Sequence, residues 1–496
     1  MNGGTDRMKK KPNIVMIVSD HQLFRHHDEI KRPCFEAFTE TATSFEHACC
    51  TTPLCGPVRR TMLTGLYPHN HRNLYNQEPA PFERDTYLEV LDAAGYDNYV
   101  FGKWHAGPGT ALDHRSKGFS PAEYGNPYIT GIYKEYLEKN HLPAPLHVID
   151  TVFANENTAQ TFPSLVEGNN AYTCDQYWCG EPCFGKTVTP KETHEAFFLS
   201  SLACEKLKDL QHSEKPFHMR IDFWGPHQPY FPTQEYLDLY KDVKIPRYPN
   251  FDDNLADKPK TYRHMNKPIA DDTGNLVIPS VFPWEEWSRY LKIAYAHSTM
   301  VDDAAGQIVN QIKKFGLEED TIILWTSDHG DALASHGGMF DKGSFMTEET
   351  IRIPLAIRVP GYDAKKSDAL VHSIDFAPTV LDFAGTHFTD KIDGVSLVPI
   401  IVGDKQAVRD SLLLESFGQG YRDRTKVRTL IKGKYKYNFT ENDREELYDL
   451  SSDPYELRNL AQDSDYRMIL DSFYTDCISL MEDYGESDHA FMQRIQ

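Results

Sequence analysis

Cys55-Gly56-Pro57-Val58-Arg59 sets a thiol and a guanidinium four residues apart, one turn along the same face of a helix. Pro57 suits a first helical turn and Gly65 a helix end, so Cys55 is expected at a helix N-terminus. Unpaired N–H groups and the helix dipole favour an anion there. Four other short segments carry complementary groups: Asp20-His21, Gly102-Lys103-Trp104-His105, Pro226-His227-Gln228-Pro229-Tyr230, and Ser327-Asp328-His329-Gly330 with Lys342 beyond it. Asp20, Asp328 and His329 are hard or borderline ligands suited to a divalent cation that polarises an oxoanion. Lys103 and Lys342 would surround such an anion with positive charge, worth more in a dry cleft than in water. His105 and His227 are the natural residue type for moving protons near neutral pH, an effect of about 10²–10⁴-fold. Taken singly, Lys103 reads as a solvated charge and Asp20 or Asp328 as a helix cap. Taken together, they are poorly explained that way.

These groups need a frame that brings distant segments together. Ile14–Val18 is a continuous apolar run ended by Ser19-Asp20-His21, as in a strand buried on both faces of a parallel sheet. Thr321–Thr326 before Asp328 repeats the design, Pro216–Phe223 before His227 is a third case, and Pro354–Val359 reads as a further strand. Amphipathic stretches at Thr86–Ala94, Thr193–Leu210, Trp287–Phe315 and Ile374–Ala384 read as helices between them. Alternating strands and helices predict an α/β fold with a large, mostly parallel sheet, whose ligands bind beyond the carboxyl ends of the strands. From Ser411 the texture changes to short runs with turns and then a helix over Asp465–Tyr484. This predicts a catalytic domain over 1–405 and a smaller antiparallel α+β subdomain over 406–496. Residues 120–190, rich in Pro, Asn, Gly and aromatics, read as an insertion over the cleft.

The 496-residue chain carries 52 Lys plus Arg against 73 Asp plus Glu, a formal charge of −21. That balance argues against nucleic acid or an anionic membrane as partner, while leaving a small anion in a local cationic cleft open. No signal peptide and no segment of about 20 apolar residues is found, so a cytoplasmic location is expected. The nine cysteines follow no disulfide framework and read as free thiols; Cys174, Cys179 and Cys183 match no structural zinc pattern.

C-x-P-x-R followed by Thr64-Gly65 resembles the sulfatase family of the alkaline phosphatase superfamily, in which the cysteine is oxidised to formylglycine. The resemblance runs through Pro12–Asp20, the G-K-W-H of residues 102–105, the P-H-x-P-Y of residues 226–230 and the segment Ser327–Gly330. It continues through His336-Gly337 with Lys342, and Leu447-Tyr448-Asp449-Leu450 with Asp453-Pro454, Glu456 and Asn459-Leu460. It implies hydrolysis of a sulfate monoester, with Asp20, His21, the Cys55 side chain, Asp328 and His329 around one divalent metal, and Arg59 holding the nucleophile. It implies His227, with Lys342, as proton donor to the leaving group, and His105 as the base that collapses the sulfated hemiacetal. Lys103, His227 and Lys342 would bind the sulfate.

One departure and one further likeness matter. The family usually has Asp-Asp where this chain has Asp20-His21, so His21 either ligates through nitrogen or orients a neighbour, tilting the site from calcium, the first expectation, towards manganese. Asn76, after Asn70-His71-Arg72, resembles the asparagine that choline sulfatases and phosphonate monoester hydrolases send to the substrate; a turn-capping role is the alternative. The competing activity is a phosphonate monoester or phosphodiester hydrolase using the same formylglycine, against which the pair Lys103 and His105 argues. The expected partners are a small sulfated substrate and a formylglycine-generating or anaerobic sulfatase-maturating enzyme, with a homo-oligomer left open.

Overall fold

The computed structural model describes residues 10–24, 26–152, 171–174, 183–265, 282–342, 345–420 and 423–494. Cys179, Tyr177 and Trp178 of the aromatic, cysteine-bearing stretch lie outside them.

The strands in chain order are β1 (Asn13–Ser19), β2 (Thr43–Cys49), β3 (Asp97–Gly102), β4 (Ser116–Phe119), β5 (His147–Val152), β6 (Ala171–Tyr172), β7 (Cys183–Thr187) and β8 (Phe217–Asp222). They continue with β9 (Thr321–Ser327), β10 (Leu355–Arg358), β11 (Lys365–His372), β12 (Ser411–Ser416), β13 (Val427–Lys432), β14 (Tyr435–Thr440) and β15 (Glu446–Asp449). Eight of them form one sheet in the order β11-β2-β10-β9-β1-β8-β3-β4. All its pairings are parallel except those of β10, which runs against both β9 and β2. The apolar run of β1 is explained by its place between β8 and β9. Side chains alternate across a strand, so Val15 and Ile17 enter one core while Ile14, Met16 and Val18 enter another.

Helices cover both faces. The first core takes Phe198 and Leu207 from the helix Glu195–Leu210, and Leu291, Ala304 and Ile308 from the long helix Trp284–Lys314. The second takes Val58 and Met62 from α1 (Cys55–Thr64), Leu88 and Leu91 from the helix Tyr87–Ala93, and Val380 and Leu381 from the helix Phe376–Phe383. Thr86 caps its helix in a reciprocal box with Glu89, as the start of that amphipathic stretch predicts.

β12 to β15 form an antiparallel meander. Leu412, Leu414, Val427 and Ile431 pack into the second core, whereas Leu413, Leu430 and Tyr437 meet Leu470 and Phe473 of the helix Arg467–Asp483. A three-stranded sheet, β6-β5-β7, hangs on the segment after His227, where Gly185 N–H donates to Tyr230 O and Tyr230 N–H to Cys183 O, both at 3.0 Å. Cys34, Cys50, Cys55, Cys204 and Cys477 are free thiols. No helix among these residues is long and apolar enough to cross a membrane.

Candidate active site

Strand order explains how the chemistry is assembled. β9, β1, β8 and β3 are adjacent and parallel, and at or just past their carboxyl ends stand Asp328, Asp20, Asp222 and Lys103. Gly102, the last residue of β3, has φ +110°, and a Cβ there would lie 2.0 Å from Asp222 O, so only glycine lets the two strand ends approach this closely. Lys103 N–H then donates to Asp222 O at 2.9 Å.

α1 faces this row with its N-terminus. Cys55 is its first residue, Leu54 precedes it in extended geometry, and Gly65 ends it in the left-handed region. Every residue of α1 is buried, its two arginines included. Arg59 is the hub: Nη2 donates to Asp20 Oδ2 at 2.8 Å, Nη1 to Asp222 Oδ1 at 2.9 Å and Nε to Asp328 Oδ2 at 3.0 Å. Arg60 donates instead to the carbonyls of Ala106, Ala80 and Pro81, tying the segment after His105 to the helix. Burial would raise the Asp20 carboxyl, but Lys103 and Arg59 hold it well below the usual range.

The Cys55 Sγ stands beside the carboxylate row at the start of α1. It lies 3.1 Å from His329 Nε2 and 4.0 Å from Asp20 Oδ1. Burial opposes ionisation of this thiol, yet Lys103 and Lys342 bring it below its ordinary value. The ligating atoms of Asp20, Cys55, Asp328 and His329 all lie within 4.8 Å of one another in full burial. Two carboxylates, an imidazole and the Cys55 position form a donor set that could hold a divalent metal ion. His329 Nδ1 donates to Gly330 O at 2.8 Å, which leaves Nε2 with its lone pair towards the cluster.

His21, grouped with those ligands from the sequence, is not brought among them. Its φ of +59° turns the ring towards His227, 4.6 Å away between centroids, and Nε2 lies 3.5 Å from Asp331 and 3.4 Å from Asp341. Its backbone N–H donates to Asp328 Oδ1 at 2.9 Å. Asn76 Oδ1 accepts the Gly56 N–H at 2.8 Å, capping α1 beside Cys55. Lys103 Nζ meets Asp20 Oδ2 at 2.5 Å. Lys342 Nζ donates to His227 Nε2 at 3.2 Å and to Asp341 at 3.1 Å, while His227 Nδ1 is engaged by Gln228 O at 2.8 Å. His105, at φ +43°, is buried with Nδ1 unpartnered among the described residues. Burial, then Lys342 for His227 and Lys103 for His105, push both imidazoles well below their usual value.

Three contributors were not anticipated. Asp222 shares one carboxylate between Arg59 and the bidentate Arg220, whose Nε and Nη2 lie 2.7 and 2.9 Å away. Asp331 takes the Tyr230 hydroxyl at 3.0 Å, and burial next to Asp341 lifts it to about 7. Glu195 Oε1 accepts the Gly225 N–H at 3.1 Å, while Gly225 O accepts the Asp20 N–H at 3.1 Å, so one peptide links the His227 loop to Asp20. Asp331 follows Ser327–Gly330 directly, and its place in that run was the available signal. Asp222 and Glu195 offered none, because strand-end and helix-start acids are common.

The likeness to known proteins agrees with this geometry. Among solved structures, the phosphonate monoester hydrolase of Agrobacterium radiobacter superposes with a TM-score of 0.75 at 22% identity, covering 95% of this chain and 96% of that one. A protein in complex with its substrate D-glucosamine-2-N,6-O-disulfate superposes with a TM-score of 0.71 at 20% identity, covering 98% and 100%. The chain shares its fold with these structures. Residues 12–386 match the Sulfatase family, and 335–482 match the N-sulphoglucosamine sulphohydrolase C-terminal family. The choline-sulfatase of Rhizobium meliloti is 27% identical over 469 residues, covering 91% of this chain and 83% of its own. The ulvan-active sulfatase of Formosa agariphila is 26% identical over 463 residues, covering 91% and 77%. The chain belongs to the sulfatase family and is a sulfuric ester hydrolase.

Behind the site, a buried junction ties the loop after His329 to the C-terminal sheet. His336, at φ +44°, lies 3.3 Å from both Asp253 and Glu349, and Glu456 sits on the Lys436 ammonium at 2.5 Å. Burial would depress His336, but Glu349 and Asp253 lift it to about 9; burial lifts Glu456 to about 7. Both folded values exceed the unfolded ones of about 6.5 and 4.3, so the folded state binds more protons and stability falls as pH rises. The His336 share is complete below about pH 6.5 and lost through about pH 9. Urea midpoints of wild type and His336→Gln should therefore differ more at about pH 6 than at about pH 9.5. An equal gap at both values would show that the His336 charge plays no part.

Proposed function

We propose that the protein hydrolyses a small organic sulfate monoester, aryl, sugar or other, using a formylglycine made from Cys55 and one divalent cation, calcium before manganese. The observation that carries this reading is the convergence of Cys55 Sγ, Asp20, Asp328 and His329 atoms within 4.8 Å, with the Lys103 and Lys342 ammoniums close enough to depress the Cys55 thiol. Asp20, Asp328, His329 and the oxidised Cys55 side chain would hold the cation, which supplies charge stabilisation to the sulfate oxygens. Arg59 fixes both carboxylates and bears on the nucleophile's side of the cluster. Lys103 Nζ and Lys342 Nζ hold the sulfate from two directions.

Proton movement follows from the hydrogen bonds. Since His227 Nδ1–H is given to Gln228 O, its Nε2 is the atom facing Lys342. The Lys342–His227 pair therefore carries the proton delivered to the leaving oxygen, and the single negative charge of the bound sulfate monoester offsets part of the Lys342 repulsion that helps keep the imidazole neutral. His105, buried and neutral beside Lys103, takes the proton that must leave the nucleophile's hydroxyl for the sulfate to be released. The supply of formylglycine requires a maturating enzyme of the aerobic or anaerobic type. Asn76, occupied by Gly56, is read as holding the helix N-terminus beside the nucleophile.

The phosphonate monoester hydrolase neighbour supports a second reading, a phosphonate monoester or phosphodiester hydrolase. Lys103 and His105 favour the first. With matured enzyme, kcat/KM for an aryl sulfate should exceed that for the matching aryl phosphonate monoester by at least about tenfold, ~1.4 kcal/mol of transition-state discrimination. A preference for the phosphonate would reverse the assignment.

A further inference from the structure

Tyr124 lies against three residues on which this chemistry depends. Lys103 Nζ is 3.7 Å from the centre of its ring. The His105 and His227 ring centroids are 4.8 and 5.7 Å away, at interplanar angles of 64° and 73°, so both imidazoles meet the phenol ring edge to face. Its backbone is held by the same two catalytic segments. His105 N–H donates to Glu123 O at 3.1 Å, and the Trp224 indole Nε1–H, three residues before His227, donates to Tyr124 O at 2.8 Å. The ring is thereby set in register with the segment carrying Lys103 and His105 and with the one carrying His227.

We propose that Tyr124 is a positioning residue of the anion pocket: its ring holds the Lys103 ammonium against the sulfate site and keeps the His105 and His227 imidazoles apart. A lysine ammonium is compact and strongly hydrated. An aromatic face attracts it while taking none of its N–H donors in a conventional hydrogen bond. With Asp20 on one side at 2.5 Å and the ring on another, the remaining donor direction is left for the anion. The same ring meets both imidazoles edge to face. An aliphatic side chain offers the ammonium no π face, whereas phenylalanine does.

The inference rests on the reading of Lys103 as a sulfate-binding residue and not on the identity of the nucleophile. It is tested by calorimetric binding of inorganic sulfate to the full-length protein, alongside kcat and KM on an aryl sulfate. Tyr124→Phe should keep the sulfate Kd and kcat within about threefold. Tyr124→Leu should weaken sulfate binding by about tenfold and lower kcat by about 10–100-fold, and Tyr124→Met, the replacement to use if the leucine variant does not fold, should do the same. In a Lys103→Ala background the leucine change should add little to the loss of sulfate binding. Unchanged sulfate binding in the leucine and methionine variants, or a phenylalanine variant as impaired as they are, would overturn the proposal alone. A wild-type protein that binds no sulfate would overturn the anion-pocket reading together with it.

Discussion

Cys55→Ala is expected to reduce turnover of an aryl sulfate by at least about 10⁴-fold while the protein stays folded. Under the proposed mechanism the nucleophile is made at this position. The anion-favouring end of α1, the Lys103 and Lys342 ammoniums and His329 Nε2 all converge on one atom. The structural cost should be small. Cys55 is fully buried, but removing one sulfur from the first turn of α1 leaves only a small void, and the Gly56 N–H keeps its partner in Asn76. Thermal unfolding within a few degrees of wild type, combined with lost turnover, is the predicted pair of observations. Retention of more than about 1% of kcat would argue that another group attacks the ester.

Arg59→Ala should instead damage the fold. The guanidinium is completely buried and holds three carboxylates, Asp20, Asp222 and Asp328, at 2.8–3.0 Å. Removing one partner of a buried ion network leaves charges unpaired in low dielectric, a loss of about 3–5 kcal/mol. The effect should be partly offset by Arg220 on Asp222 and by Lys103 on Asp20. Arg59→Lys keeps the charge but not the planar fork, so a single ammonium reaches one or two of the carboxylates and stability should fall between the other two proteins. Urea unfolding orders them directly. An alanine variant as stable as wild type would mean that these carboxylates are neutralised some other way.

Much of this site was legible because its residues are tied to the ends of unambiguous strands. Ile14–Val18 and Thr321–Thr326 are buried on both faces, and a run without alternation has no other comfortable place than the middle of a parallel sheet. Asp20 and Asp328 follow from there. β10 was legible as a strand but not in direction, because its reversal is decided by its pairing with β9 and β2, a tertiary matter. His21 next to Asp20 looked like a ligand by adjacency. A left-handed backbone at that residue accompanies a ring grouped with His227 and Asp341, and single-residue φ is invisible in a string of letters. Asp222 stayed hidden because its meaning lies in Arg59, 163 residues away in sequence. Tyr124 stayed hidden in a loop without periodicity, where tertiary contacts such as the bond from the Trp224 indole to its carbonyl and the approach of Lys103 to its ring give it a place.

The composition points the same way as the geometry. With a formal charge of −21 across the chain, the cationic groups at the centre are a local exception: Arg59, Lys103 and Lys342 are all buried, while the carboxylates at this centre are only a few of the 73 acidic residues. Field lines from a few enclosed cations focus on a short anion better than on an extended polyanion, which the outer acidic surface would repel.

If Cys55 works as formylglycine, the peptide spanning residues 55–59 carries the mark of it in its mass. Enzyme co-expressed with a maturating partner and fractionated by activity should show the thiol-to-aldehyde mass loss in proportion to kcat, with the unconverted fraction inactive. A fully active preparation in which Cys55 remains an unmodified thiol would contradict the account.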